Sequence, residues 1–239
     1  MAAHALIDIV YEDEALLAVN KPAGLLVHRS QIAADENDFL LDRLQQQVGT
    51  TALYLAHRLD RATSGVVLLA KSREIAGELG KAFMGRNICK RYLAVVRGWP
   101  DAEGLIDYPL PDVRERSPRK AALTRWRTLA TATVPIALGK YPEQRYALIE
   151  AQPETGRYRQ IRKHLHHVSH HLVGDTSHGR GDHNRLWRIH FGMHRMLLHA
   201  WQLELMHPLG GAALTLRAPL DEAWNRVLAR LGWQAAVAC

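Results

Sequence analysis

Cysteine is scarce: the 239 residues hold two, Cys89 and Cys239. Thiols so far apart make no disulfide framework, and no CxxC pair is present for a metal or a redox centre. A reducing compartment, the cytoplasm, is therefore expected. Long apolar runs are missing too. The longest near the middle, Val66-Val67-Leu68-Leu69-Ala70, falls far short of the roughly 20 residues a membrane-spanning helix requires, so no membrane partner is expected. Met1-Ala2-Ala3-His4 brings no basic segment followed by an apolar one, which argues against a secretory signal. Neither GxGxxG nor GxxxxGKS/T occurs, so a nucleotide cofactor has no support.

What the chain has in excess is positive charge. Thirty-one Lys+Arg against 24 Asp+Glu leave a formal +7, and the surplus is concentrated. Between residues 153 and 200 stand Arg157, Arg159, Arg162, Lys163, Arg180, Arg185, Arg188 and Arg195, opposed by Glu154, Asp175 and Asp182 alone. Ten of the fourteen histidines share that stretch. Clustered cations suit a polyanion, because neutralising phosphates releases counterions. Charge alone fits a solvated basic face equally well.

Hydrophobic periodicity predicts strands at 7–11 and 16–20 around the acidic turn Glu12-Asp13-Glu14. Lys21-Pro22-Ala23-Gly24 reads as a turn. Helical spacing covers 39–48, ending at Gly49, and 72–84. Further strands are predicted at 66–70, 90–97, 124–129, 145–150, 197–205 and 213–217, with an exposed Arg-rich loop at 112–120. Residues 156–167 are helix-compatible, and a last helix covers 220–231 after Pro219. Strands outnumber helices and are joined mostly by short turns, which argues for an α+β fold with a largely antiparallel sheet. The whole of 1–239 is expected to form a single domain.

Residues 57–65, His-Arg-Leu-Asp-Arg-Ala-Thr-Ser-Gly, break the apolar pattern just before the 66–70 strand. They set one carboxylate, Asp60, between Arg58 and Arg61, where neighbouring cations favour its charged form. The spacing by itself does not decide between a structural Asp–Arg pair and a catalytic carboxylate.

That segment resembles HRLDxxTSG, the signature loop of the RluA-type pseudouridine synthases, and the resemblance runs along nearly the whole chain. Asn20-Lys21-Pro22-Ala23-Gly24 matches the family's KPxG turn. Residues 90–98, Lys-Arg-Tyr-Leu-Ala-Val-Val-Arg-Gly, match KxYxAxVxG, and 153–162, Pro-Glu-Thr-Gly-Arg-Tyr-Arg-Gln-Ile-Arg, match PxTGRxHQIR. Gly174-Asp175 followed by Arg195-Met196-Leu197-Leu198-His199-Ala200 matches GD…RLLLHA. The resemblance implies the pseudouridine synthase fold, a mixed and largely antiparallel sheet flanked by helices with a central catalytic cleft. It also implies isomerisation of a uridine in structured RNA without cofactor or metal. Asp60 would be the catalytic carboxylate, Arg162 its salt-bridge partner and Tyr92 the ring lying against the uracil. Arg58 would fill the space left by a flipped-out base, with His57 and Arg61 beside it as RNA contacts. One position departs from the family: Arg159 stands where His is usual.

Residues 174–185, Gly-Asp-Thr-Ser-His-Gly-Arg-Gly-Asp-His-Asn-Arg, and the closing Trp224 and Trp233 resemble the TruC branch of that family, which acts on a T-stem uridine of tRNA. The partner expected is therefore tRNA, bound by a monomer. No N-terminal S4 RNA-binding domain is expected, since the first catalytic strand begins near Ile7. Lys21, Arg114, Arg116, Arg119, Lys120, Arg157, Arg159 and Lys163 would then hold the RNA backbone. A ribosomal RNA synthase of the same fold and a catalytically silent RNA-binding protein are the alternatives. His167 and His171 have i,i+4 spacing on a helix, but no cysteine and few acids accompany them, so no metal is expected.

Overall fold

The computed structural model describes residues 5–29, 36–111 and 117–237. In chain order its elements are β1 (Asp8–Glu12), β2 (Leu16–Lys21), α1 (Leu40–Val48), β3 (Tyr54–Leu55), β4 (Ser64–Ala70), α2 (Arg73–Met84), β5 (Cys89–Arg97), β6 (Glu103–Asp107), β7 (Leu110–Pro111) and β8 (Arg119–Lys120). There follow β9 (Leu123–Val134), β10 (Gln144–Pro153), α3 (Gln160–His167), α4 (Gly181–Phe191), β11 (Leu198–Met206), β12 (Ala213–Arg217) and α5 (Glu222–Leu231). The class is α+β with mostly antiparallel pairing, as the sequence predicts. Among the described residues no helix is long and apolar enough to cross a membrane. The chain divides into two compact units. The first runs to Cys89 and takes up again at Ala200–Pro219; the second comprises Lys90–His199 and the chain from Leu220 onward.

In the first unit β2 lies between β1 and β4, and all seven residues of β4 are buried. An apolar run without alternation is what a strand covered on both faces needs. Leu16, Val66, Leu68, Leu203, Leu205 and Leu216 form its core with Leu79 of α2. Ser72 caps α2, its Oγ accepting from the Ile75 amide at 3.2 Å, and α1 stops at Gly49 in the left-handed conformation.

The acidic turn between β1 and β2 is built around Asp13. Its Oδ1 accepts from the amides of Ala15 (2.8 Å) and Leu16 (2.7 Å), and its Oδ2 from the Tyr11 hydroxyl (2.5 Å) with His207 Nε2 at 2.8 Å. Burial pushes this carboxyl up, but the Tyr11 hydroxyl, the two amides and His207 outweigh it and hold the pKa at about 2. A depressed carboxylate contributes stability that is full above its unfolded pKa and is lost as pH falls through the folded one. Asp13→Asn should therefore lower the melting temperature at pH 6, and the gap to wild type should close between pH 4 and pH 2. A gap of constant size across that window would remove the assignment.

In the second unit β10 is flanked by β5 and β9, and β6 pairs with β9. Residues 93–96 of β5 and 146–151 of β10 are buried throughout, whereas β9 exposes Arg125 and Arg127 at alternate positions. Helix α4, which the sequence reading did not anticipate, buries Trp187 edge-on against Tyr146 and stacks it on Phe191 at 4.3 Å.

Candidate active site

In the first unit, Asp60 opens a tight turn between β3 and β4: the Thr63 amide donates to the Asp60 carbonyl at 3.1 Å. The side chain of Asp60 is half-buried. The turn is stitched to Lys21-Pro22-Ala23-Gly24. The Gly24 amide donates to the Arg61 carbonyl at 2.8 Å, and Arg61 Nε donates back to the Gly24 carbonyl at 2.9 Å. Lys21 Nζ donates to the carbonyls of Pro22 (2.8 Å), Leu25 (2.9 Å) and Arg61 (3.2 Å). Burying an ammonium is costly unless it is hydrogen-bonded, and these carbonyls make full burial of Lys21 tolerable. Gly65, at φ 113, closes the segment; a Cβ there would sit 2.2 Å from the Ala200 carbonyl oxygen, so only glycine lets β11 approach so closely.

These contacts sort the expected RNA-facing residues. Lys21 is not on the surface: its ammonium is occupied inside the fold, and that corrects its assignment to the RNA backbone. His57 is half-buried, its Nε2 accepting from the Leu68 amide at 3.1 Å and its ring 5.0 Å from Phe83. It therefore also ties the loop to β4. Arg61 is tied to the turn and to Glu36 at 2.6 Å. Arg58 is exposed, and its charge adds to burial in lowering the pKa of His28.

In the second unit, Tyr92 is half-buried on β5, paired in register with Ala151. The Thr155–Gln160 segment places Arg162. Thr155 Oγ1 donates to Gln160 Oε1 at 2.6 Å and accepts from the Leu123 amide at 3.0 Å. Gln160 Oε1 also accepts from the Arg157 amide at 3.0 Å, while its Nε2 donates to the Leu123 carbonyl (2.7 Å) and to Thr124 Oγ1 (3.0 Å). Every polar atom of that buried amide is engaged, as an interior requires. Arg159 lies at φ 55, so α3 begins one residue later, at Gln160, rather than at Gly156 as the helix-compatible spacing suggested.

Arg162 and Asp175 form a bidentate pair, Nε to Oδ2 and Nη2 to Oδ1, both at 2.7 Å, with side chains 6% and 0% exposed. The pair uses two of the guanidinium's five N–H donors. Burial alone would raise the pKa of Asp175; the Arg162 guanidinium and the amides of His178 and Ser177 outweigh it and hold the group charged. Asn184 locks the same loop, accepting from the Gly174 amide and donating to the Asp175 carbonyl, both at 2.8 Å. Gly174 is a packing requirement: a Cβ there would lie 2.0 Å from the Arg195 carbonyl oxygen. In the sequence Asp175 stands out only as part of the Gly174-Asp175 motif, and nothing there links it to Arg162.

Of the expected backbone contacts, Arg119 and Lys120 are exposed, Arg157 and Arg159 are partly so, and Lys163 is 8% exposed. Arg114 and Arg116 lie outside the described residues. His171 falls beyond the end of α3, which removes the i,i+4 pairing. Among the described residues no group of three or more His, Cys, Asp or Glu is arranged to hold a metal ion.

The profile of the RNA pseudouridylate synthase family matches residues 15–167. A Vibrio cholerae protein named tRNA pseudouridine synthase C is 45% identical over 238 residues, covering 96% of this chain and 97% of its own length. A Salmonella typhi protein of the same name is 42% identical, covering 96% and 91%. Among solved structures, human RNA pseudouridylate synthase domain containing 4 superposes with a TM-score of 0.71 at 26% identity, covering 94% of this chain and 93% of that one.

Proposed function

The chain belongs to the RNA pseudouridylate synthase family, and on that premise we propose that it isomerises a uridine of tRNA to pseudouridine with Asp60 as the reacting carboxylate. The observation that carries the tRNA reading is the 45% identity, end to end, with a protein named for that substrate. The TruC-like 174–185 segment directs the reading to a T-stem uridine.

The reaction breaks the N1–C1′ bond, turns the uracil and joins C5 to C1′; the C5 proton leaves to solvent and N1 regains one. Asp60 acts at the sugar, either by attack on C1′ or by removing the C2′ proton to give a glycal. Arg162 is the cation assigned to that carboxylate, and the Asp175 pair fixes where its guanidinium can point. Tyr92 offers a flat face to the uracil, and its hydroxyl is available to relay the C5 proton. No cofactor or metal enters the scheme. The reading also takes the protein as a cytoplasmic monomer and as one catalytic domain.

A stacked uridine has to leave its helix to react, and unstacking costs about a few kcal/mol. Arg58 is assigned to substitute for it, and its exposure beside Asp60 supports that reading. Arg58→Ala should impair kcat/KM on folded tRNA about tenfold more than on an unstructured oligonucleotide. Equal losses on both would remove that role.

The function itself is tested by tritium release from a 5-³H-uridine-labelled tRNA transcript with EDTA present. Release supports the reading, and mapping of the modified base then tests the T-stem assignment. Release from ribosomal RNA fragments alone would move the substrate, and none from either would overturn the synthase reading.

A further inference from the structure

The second unit contains a cavity of about 440 Å³ between the chain that follows β6 and helix α3. That size is typical of sites that enclose a small group, and none of Asp60, Tyr92 and Arg162 lines it. Among the described residues Arg119, Lys163, His166, His167 and His178 line it, and none of the described lining residues is a carboxylate. One wall is aromatic. The Tyr108 and His167 rings stack at 3.6 Å and 16°, and Arg119 reaches over Tyr108, its carbon 5.3 Å from the ring centre and its Nη1 donating to the hydroxyl at 2.8 Å. Leu110 and Pro111 add an apolar edge. His178 Nε2 is sealed from solvent and makes no hydrogen bond to the protein.

We propose that this cavity is a second RNA subsite, taking one phosphate and its ribose from a nucleotide of the substrate other than the one isomerised. Two cations and three imidazoles converging among the described residues select an anion, and a wall of stacked rings with Leu110 and Pro111 suits the apolar face of a sugar better than a bare ion. The arrangement explains why a histidine-rich run with no metal geometry follows Arg162 so closely: His166 and His167 belong to an anion pocket. Arg119 is its exposed gate and Lys163 its interior charge. The inference rests on the RNA-modifying reading above and assigns a new contact within it.

The test is filter binding of an unmodified tRNA transcript to wild type, Arg119→Glu, His166→Glu and, as a control with the same charge change as Arg119→Glu but elsewhere, Arg73→Glu, across a salt series. Both side chains in the pocket are exposed, and thermal melts confirm that each variant folds. Arg119→Glu and His166→Glu should each raise Kd about tenfold, and Arg119→Glu should reduce the slope of log Kd against log salt by about one. Arg73→Glu should stay within twofold of wild type. Pocket variants that bind as wild type does, or a loss no larger than that of Arg73→Glu, would overturn the subsite. Wild type that binds no RNA would overturn it too. Tritium release is read separately, so a protein that binds through the pocket but releases nothing refutes the synthase reading alone.

Discussion

Asp60→Asn should abolish tritium release while leaving tRNA affinity nearly intact. The substitution keeps the size of the side chain and removes the lone function that can attack C1′ or take a C2′ proton. The Asp60 carbonyl, which accepts from the Thr63 amide, is backbone and survives the change, so the turn persists. A loss on the order of 10⁴-fold or more in kcat, equivalent to about 5 kcal/mol of transition-state stabilisation, is the scale expected for removal of an essential reacting group. Single-turnover rates with saturating enzyme separate this from weakened binding. Residual activity within tenfold of wild type would mean that another group does the chemistry.

The second large effect is on stability. Asp175→Ala removes the bidentate carboxylate partner from a guanidinium that is 6% exposed and deprives the Ser177 and His178 amides of their acceptor, at 2.9 and 3.0 Å. Breaking a buried ion pair by removing one partner costs about 3–5 kcal/mol. In a chain of this length that lowers Tm by roughly 10 °C. Activity should fall as well, because Arg162 loses the contact that orients it. Asp175→Asn should recover part of the stability, since an amide oxygen still accepts, but less of the activity. A Tm for Asp175→Ala within 2 °C of wild type would show that the pair is dispensable.

Much of this molecule was legible beforehand because its strands announce themselves. β4 and the buried stretch of β5 are uninterrupted apolar runs, and α2 and α5 carry clear faces with capping residues at their starts and, for α5, a glycine at its end. Helix α4 was not legible. Its first turn reads Gly-Asp-His-Asn-Arg, the composition of a loop, and only tertiary burial of Leu186 and Trp187 holds it helical. The start of α3 was misplaced because nothing local announces that Arg159 adopts a left-handed conformation.

In the site, the Asp60 loop was visible through its charge pattern and the family motif, yet its supports were not. Lysine is rarely buried, so Lys21 read as a surface cation; the carbonyls that surround it come from residues up to 40 positions away. His57 groups with the RNA contacts by adjacency to Arg58; that it also accepts from an amide of β4 was not visible in the sequence. The Arg162–Asp175 pair is separated by thirteen positions and a change of element, a distance at which spacing carries no signal.

That pair has a consequence for how such enzymes can change. The 174–185 segment, which carries the TruC-like resemblance, also anchors Arg162, through Asp175 directly and through Asn184 at one remove. On the proposed reading, the segment that would direct recognition also holds the arginine that would serve the chemistry. A loop transplanted from a relative to retarget the enzyme would bring its own version of the anchor, and α3 would have to travel with it. An exchanged loop keeps Arg162 anchored as it is here only if it supplies an acceptor at position 175 and a side-chain amide at position 184.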